Sequence, residues 1–447
     1  MKIFSAYDVQ IKDYHHIFSQ TIKLYQQAVS FFLGVCEKEW GALEPLKAKE
    51  RNNHVERLTL STKKNPYPKY DFNASFYKMP AYLRRAAISA AIGSYSSYAS
   101  NLKNWKEHPE GRRPALQMER NIMPALYKNG IFVWTGTETA KIKIFHKNDW
   151  VWLDVVLNHQ DAEYIRKHCA LETACSPALR RKGKRWVLSF PFEEQMKLDT
   201  KPAREQTICA VDLGLNSHAV CSIMSSDGTV MRRKFIDFPI EKDHLDTILN
   251  RIRKAQQHGA RRCPVLWKHA DDTNKEISRK VSRSITAFAL GYHADVIVFE
   301  YLDTKGRKKG SRKQRLHLWR KQEIQRMTEH KAHRHGIRIS RICAWNTSRL
   351  AYDGSGKVRR GTYIQDGEER YNYSVCMFQT GKTYHCDLNA SYNIGARYFI
   401  REILKSDPVM GRLPNESKGT RYGTGSTRTL SDLYNLNADL GRMRLTV

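Results

Sequence analysis

Two short apolar runs constrain this chain most, because neither is interrupted and each closes on an acid. Ile208-Cys-Ala-Val211 runs into Asp212, and Val296-Ile-Val-Phe299 runs into Glu300. Runs this short without polar alternation predict buried strands. A third acid, Asp387, opens Cys386-Asp-Leu-Asn-Ala-Ser-Tyr-Asn-Ile394 and is expected to cap a helix over residues 388–404. Taken singly, the three are a turn residue, a strand end and a helix cap. Brought together by a fold, three carboxylates suit a pair of magnesium ions, which need hard oxygen ligands. Phosphodiester hydrolysis needs an activated water and charge stabilisation on the attacking and leaving oxygens, and such a pair supplies both. Gly214, just beyond Asp212, is expected to let a phosphate backbone come close.

The charge balance points to the same substrate. Lysine and arginine total 76 against 45 acids in 447 residues, a formal charge of +31. With 11% aromatic residues this is a folded chain with a basic surface rather than a basic tail, and its expected partner is a polyanion. No apolar stretch approaches the roughly 18 residues that cross a bilayer, so no membrane association is expected. Met1 to Arg51 carries no cleavable signal pattern, and nine scattered cysteines suggest a reducing compartment. The expected location is cytoplasmic, prokaryotic and nucleoid-associated.

Alternation over Ile3 to Ile11 predicts a strand, and Leu83, Ile88, Ala91, Ile92, Tyr95, Ala99 and Leu102 predict one apolar face of a helix after Pro80. Arg84 and Arg85 open that helix and are candidates for phosphate contact. Strands are expected at 131–134, 140–145, 151–156 and 185–190, with turn residues between them. In the second half a strand pair at 207–213 and 219–224 precedes helices at 243–257 and 274–292, and then the strand ending at Glu300. Nine of the seventeen residues from Lys305 to Lys321 are basic and none is acidic. Lys305, Arg307, Lys308, Lys309, Arg312, Lys313, Arg315 and Arg320 are therefore expected to track phosphates beside the glutamate. A smaller patch, Arg181, Lys182 and Lys184 beside Trp186, suits RNA.

Val211-Asp-Leu-Gly-Leu215, Ile297-Val-Phe-Glu-Tyr-Leu302 and Asp387-Leu-Asn-Ala-Ser-Tyr-Asn-Ile394 resemble the three RuvC motifs of the TnpB-type RNA-guided nucleases. That family comprises transposon-encoded nucleases and the compact type V CRISPR effectors derived from them. His335-Gly-Ile-Arg-Ile-Ser340 and Asn346-Thr-Ser348 stand in the family's order, and Tyr82-Leu-Arg-Arg-Ala-Ala-Ile88 with Asn101-Leu-Lys-Asn-Trp105 resembles its helical lobe. The resemblance implies an α+β multidomain chain: a wedge β-barrel (1–25 and 126–200) with an inserted helical recognition lobe (26–125). An RNase H-like RuvC α/β domain (201–342 and 386–405) follows, interrupted by a degenerate zinc-ribbon-like insert (343–385) that binds target nucleic acid. A flexible tail is expected over 406–447. The implied catalytic and magnesium-binding residues are Asp212, Glu300 and Asp387.

The chain departs from the family in the ribbon, where Ala351, Gly354 and Gln379 stand at expected cysteine positions. Cys343, Cys376 and Cys386 are the candidates for a degenerate zinc site, but zinc is not expected as a cofactor. Packing by Tyr371, Tyr373, Met377, Phe378 and Tyr384 is expected to hold the insert instead. The implied function is cleavage of double-stranded DNA guided by an RNA, after the protein reads a short flanking motif. Two other readings stand beside it, an RNA-guided DNA-binding repressor without cleavage and an unguided RuvC-like nuclease. The sequence leaves open monomer against homodimer, and transposon against CRISPR origin.

Overall fold

The computed structural model describes residues 1–12, 16–63, 65–109, 111–117, 122–127, 129–214, 217–301, 320–365, 367–406 and 426–445. The chain divides into two compact units, one of residues 2–194 and the other of residues 195–447 with Met1. Among the described residues no helix is long and apolar enough to cross a membrane.

Among its described residues the first unit contains seven strands. They are β1 (Lys2–Gln10), β2 (Phe132–Trp134), β3 (Thr139–His146), β4 (Asp149–Val156), β5 (Thr173–Ala174), β6 (Ala178–Lys182) and β7 (Arg185–Gln195). Strand β7 pairs with β1, β5 and β6, and β2-β3-β4 form a second, antiparallel sheet. An isolated bridge from Ile11 to Leu157 ties the end of β1 to the end of β4. Helices α1 (Ile17–Leu43), α2 (Ala48–Thr59), α3 (Phe72–Ser75) and α4 (Ala81–Glu107) come after β1, and α5 (His159–His168) follows β4. One core runs through sheets and helices together. Trp186 meets Phe18 edge-on at 5.2 Å, and Phe32 stacks on Phe72 at 4.7 Å. Helix α1 is continuous across the expected boundary between residues 25 and 26, with Tyr25, Ala28, Val29 and Phe32 buried in succession.

The second unit is built on a sheet of order β10-β9-β8-β11-β12. Its strands are β8 (Thr207–Asp212), β9 (Ala219–Ser225), β10 (Val230–Ile236), β11 (Val296–Tyr301) and β12 (Arg338–Cys343). The first three form an antiparallel meander, and β11 lies parallel between β8 and β12. The unbroken apolar runs are explained by cover on both faces. Helices α6 (Pro239–Gln257), α7 (Pro264–Gly291) and α8 (Lys321–His333) precede a small sheet of β13 (Arg359–Gln365), β14 (Glu368–Met377) and β15 (Thr383–His385). Helices α9 (Cys386–Ser406) and α10 (Leu430–Leu445) complete the unit. Cys209, Val211, Ile297 and Phe299 pack with α7 and α8, while Ile208, Ala210, Val296 and Val298 pack with α9 and α10.

Several expectations need correction. Helices α6 and α7 begin earlier than their apolar periodicity indicates, each with a proline in its first turn, where the missing N–H costs nothing. The expected flexible tail carries helix α10. Leu430, Leu433, Leu436 and Leu440 lie at helical spacings and are 2%, 0%, 0% and 1% exposed. Thr429 starts this helix, its amide and hydroxyl both donating to the Asp432 carboxylate, at 2.7 and 2.9 Å.

Candidate active site

The register of β11 on β8 is set at its start. The Asp295 amide donates to the Thr207 carbonyl at 2.8 Å, and the Thr207 amide donates back to the Asp295 carboxylate at 2.8 Å. Lys201 reaches the other carboxylate oxygen at 2.6 Å. From that anchor the pairing runs Val296–Ile208 to Phe299–Val211, and the next step on each strand is Glu300 and Asp212. Alternation puts both acids on the face of Ala210 and Val298, the face that α9 covers. Asp387 lies in the first turn of α9. The helix begins at Cys386, so Asp387 is inside it rather than its cap, and its amide donates to His385 Nδ1 at 3.2 Å.

The three carboxylates sense one another. Burial, and then the charges of Glu300 and Asp387, push the Asp212 carboxyl well above the ordinary carboxylate range. Burial also raises Glu300 and Asp387. Thr347 pulls Glu300 partly back by donating its hydroxyl to Oε1, and the Arg397 charge helps. His385 and Arg360 do the same for Asp387, with Arg360 3.9 Å from Oδ1. A Cβ on Gly214 would lie 2.7 Å from the Ser217 carbonyl and 3.7 Å from the Asp387 carboxylate. The glycine is thus required by the protein's own backbone at the site.

This donor set fits magnesium in kind: hard carboxylate oxygens, held against their mutual repulsion. Magnesium keeps several waters and needs only one or two carboxylates per ion. Among the described residues no three His, Cys, Asp or Glu side chains are gathered tightly enough to coordinate a single ion by themselves.

Sequence reasoning missed the scaffold behind the acids. Asn389, Asn393 and Arg397 recur every fourth residue on one face of α9 and are 0%, 0% and 3% exposed. Asn389 accepts from the Tyr352 amide and donates to the Leu350 carbonyl, both at 2.8 Å. Asn393 donates to the carbonyls of Thr347 and Leu350 at 2.9 Å. Arg397 donates to the carbonyls of Cys343 at 2.9 Å, Trp345 at 2.6 Å, Ser426 at 3.1 Å and Arg428 at 2.9 Å. The helix that carries Asp387 thereby grips the loop whose Thr347 holds Glu300. On the opposite face of the sheet, buried Gln325 donates to the Glu300 carbonyl at 2.9 Å. The available signal was a polar stripe of period four inside an otherwise apolar helix.

The candidate zinc cysteines do not converge. Cys343 is exposed at the end of β12, whereas Cys376 and Cys386 are buried and hydrogen-bonded to each other. The Arg360 guanidinium donates to Cys386 Sγ at 3.4 Å, placing a cation where a dication would have to sit. Ala351 is fully buried at an expected cysteine position. An aromatic cluster occupies this part of the insert, with Tyr352 at 5.5, 5.2 and 5.3 Å from Phe378, Tyr384 and Tyr392. Of the residues expected to pack the insert, Tyr371 and Tyr373 are exposed instead.

The basic candidates divide. Arg84 turns inward to Glu56 at 3.5 Å and is largely buried, while Arg85, also bound to Glu56, keeps a solvent face. Arg181 lies over the Trp186 ring at 6.0 Å, Lys182 pairs with Asp8 at 3.1 Å, and Lys184 is exposed. Arg320 is held by Asp271 and Glu323. Lys305, Arg307, Lys308, Lys309, Arg312, Lys313 and Arg315 lie outside the described residues.

Residues 322–394, which include Thr347 and Asp387, match the family model of the Cas12f1-like TNB domain. The fold is similar to that of Cas12f1 in its complex with single-guide RNA and target DNA. The TM-score is 0.51 at 17% identity, over 85% of this chain and 81% of that one. Residues 322–394 thus carry a Cas12f1-like TNB domain, and the chain shares its fold with that effector. Residues 5–146 match the Aq_aa04 family model. The uncharacterized protein aq_aa04 of Aquifex aeolicus (strain VF5) is 34% identical over 126 residues, 24% of this chain and 69% of that protein. The sequence likeness to Cas12f1-like proteins thus lies in the second unit, while the first is similar to a protein of unassigned role.

Proposed function

We propose that this chain is an RNA-guided DNA endonuclease with one RuvC-type site, formed by Asp212, Glu300 and Asp387. The observation that carries the reading is the meeting of three carboxylates, from distant parts of the chain, on one face of a central sheet. A meander of three strands followed by two parallel strands is also the order of an RNase H-like domain. The first unit, on this reading, contains the wedge barrel and the recognition helices. The likeness to a Cas12f1 bound to single-guide RNA and target DNA supports guide RNA and double-stranded DNA with a short flanking motif as partners. An intracellular location goes with them.

Two magnesium ions held by Asp212, Glu300 and Asp387 would supply an activated water and stabilise charge on the attacked phosphate and leaving oxygen. The chain's own groups prepare the place. Asp212 and Glu300 are fixed by strand register, Asp387 by its helix, and Glu300 is further oriented by the Thr347 hydroxyl. Arg360, beside Asp387, stands where it can approach a phosphate.

The test is to purify the protein, sequence the RNA that accompanies it, and offer matched and unmatched DNA duplexes in magnesium. Cutting confined to the matched duplex, and lost after ribonuclease treatment, is expected. Cutting indifferent to ribonuclease would replace this reading with an unguided nuclease. Binding of the matched duplex with no cutting would replace it with a DNA-binding repressor.

A further inference from the structure

A cleft of about 480 Å³ in the first unit lies between the first turns of α1 and the tip of the β3–β4 hairpin. From the helix come Gln20, Lys23, Leu24 and Gln27, with His16 capping its start, and from the hairpin Phe145, His146, Lys147 and Asn148. Spacings of three and four residues put Gln20, Lys23 and Gln27 on one face of the helix. The lining contains no acid. Two lysines, two histidines and three carboxamides share it, and among the described residues neither lysine has an acidic partner. Asp149, the nearest acid along the hairpin, is engaged by the Trp150 amide at 2.9 Å and by Lys78 at 4.0 Å.

The cleft is built rather than incidental. The Phe145 amide donates to the buried Thr21 hydroxyl at 3.0 Å, fastening the hairpin to the helix. His146 pairs with Asp149, so Lys147 and Asn148 form a two-residue turn, with φ of 49° and 60°. Glycine and asparagine suit such a turn, and a lysine in the left-handed region costs about 1 kcal/mol. The strain sets an ammonium at the mouth of the cleft.

We infer that this cleft binds one nucleotide of a nucleic-acid strand, its phosphate on Lys23 and Lys147 and its base edge on the carboxamides of Gln20, Gln27 and Asn148. Cations without counter-charges are what a phosphodiester neutralises, and paired carboxamide donors and acceptors match the edge of a base. The volume falls in the range of small-ligand sites, roughly 300–1,000 Å³, which admits a nucleotide and excludes a folded partner. The inference deepens the nucleic-acid reading of the chain and rests on it for the class of polymer. The same chemistry is presented by a guide RNA and by the duplex flanking a DNA target.

Two variants test it by equilibrium binding across a salt series, with a labelled single-stranded RNA of mixed sequence and a labelled duplex containing a randomised stretch as probes. The pair Lys23→Gln with Lys147→Gly is expected to weaken binding about tenfold and to lower the salt slope by one to two, as lost phosphate contacts do. Thermal stability should hold or rise, because glycine relieves the turn; a merely structural role for Lys147 gives no such combination. The pair Gln20→Ala with Gln27→Ala should leave the salt slope unchanged and alter base preference, and whichever probe responds identifies the source. Unaltered affinity, slope and preference in both pairs, in a wild-type protein that binds either probe, overturns this inference and leaves the nuclease reading standing. A wild-type protein that binds neither probe overturns both.

Discussion

Asp212 carries the largest electrostatic load of any described carboxylate at the site, and its consequences are measurable without a substrate. Its folded pKa lies above the ordinary value near 3.9, so it contributes stability that is fully present below that pH. That contribution is lost as pH rises toward the folded pKa. In the absence of divalent ions, the thermal stability of the wild type relative to Asp212→Asn is therefore expected to decline from about pH 4 upward. Asp212→Asn removes the charge. It is expected to raise stability at neutral pH, because it removes a buried charge repelled by Glu300 and Asp387. Magnesium should raise the melting temperature of the wild type and do little for the variant; equal responses would place the ions elsewhere. Thr347 gives a second residue-scale prediction. Thr347→Ser keeps the hydroxyl on Glu300 and should retain most cutting, while Thr347→Val should lose about 10–100-fold, the range for groups that orient metal ligands. If both variants cut equally, the hydroxyl does not orient Glu300.

Among the elements, β8 and β11 matter most, because a slip of one residue between them would part Asp212 from Glu300 and turn the acids to opposite faces. Asp295 pins that register, its side chain 7% exposed and bonded to Thr207 and Lys201. Asp295→Ala leaves the part-buried Thr207 amide without its acceptor and removes one of the two acids that hold Lys201. It is expected to cost about 1–3 kcal/mol in denaturant unfolding and to reduce cutting more than fraction folded explains. The strands themselves were legible in the sequence because an unbroken apolar run has few other homes. The three acids were legible in their flanks, which resemble known motifs. What holds the acids was not. Asn389, Asn393 and Arg397 read as polar interruptions of a helix until the Thr347 loop is seen lying against them. Helix α10 is hidden in the sequence for a different reason, since the stretch before it is rich in Gly and Ser and masks the short apolar period that follows. Its four leucines and its Thr429–Asp432 start were there to be read. The insert shows the opposite case. Lost cysteines announced a changed ribbon, but only packing shows Tyr352 among Phe378, Tyr384 and Tyr392.

On the scale of the whole molecule, a charge of +31 and an acidic centre are two halves of one design. On the proposed reading, basic surface gathers a polyanion, and the cluster of Asp212, Glu300 and Asp387 is where its phosphates would meet metal. The proposed function therefore predicts that guided binding and cutting are separable, the first resting on broad charge and base pairing and the second on three side chains. The decisive measurement compares wild type with Asp212→Ala, each carrying its copurified RNA, on a matched DNA duplex in magnesium. Binding is expected to match within about threefold, while cutting by the variant falls by more than about 100-fold, beyond what loss of an outer-shell partner does. Cutting by Asp212→Ala at the wild-type rate would contradict the assignment of this cluster as the catalytic centre.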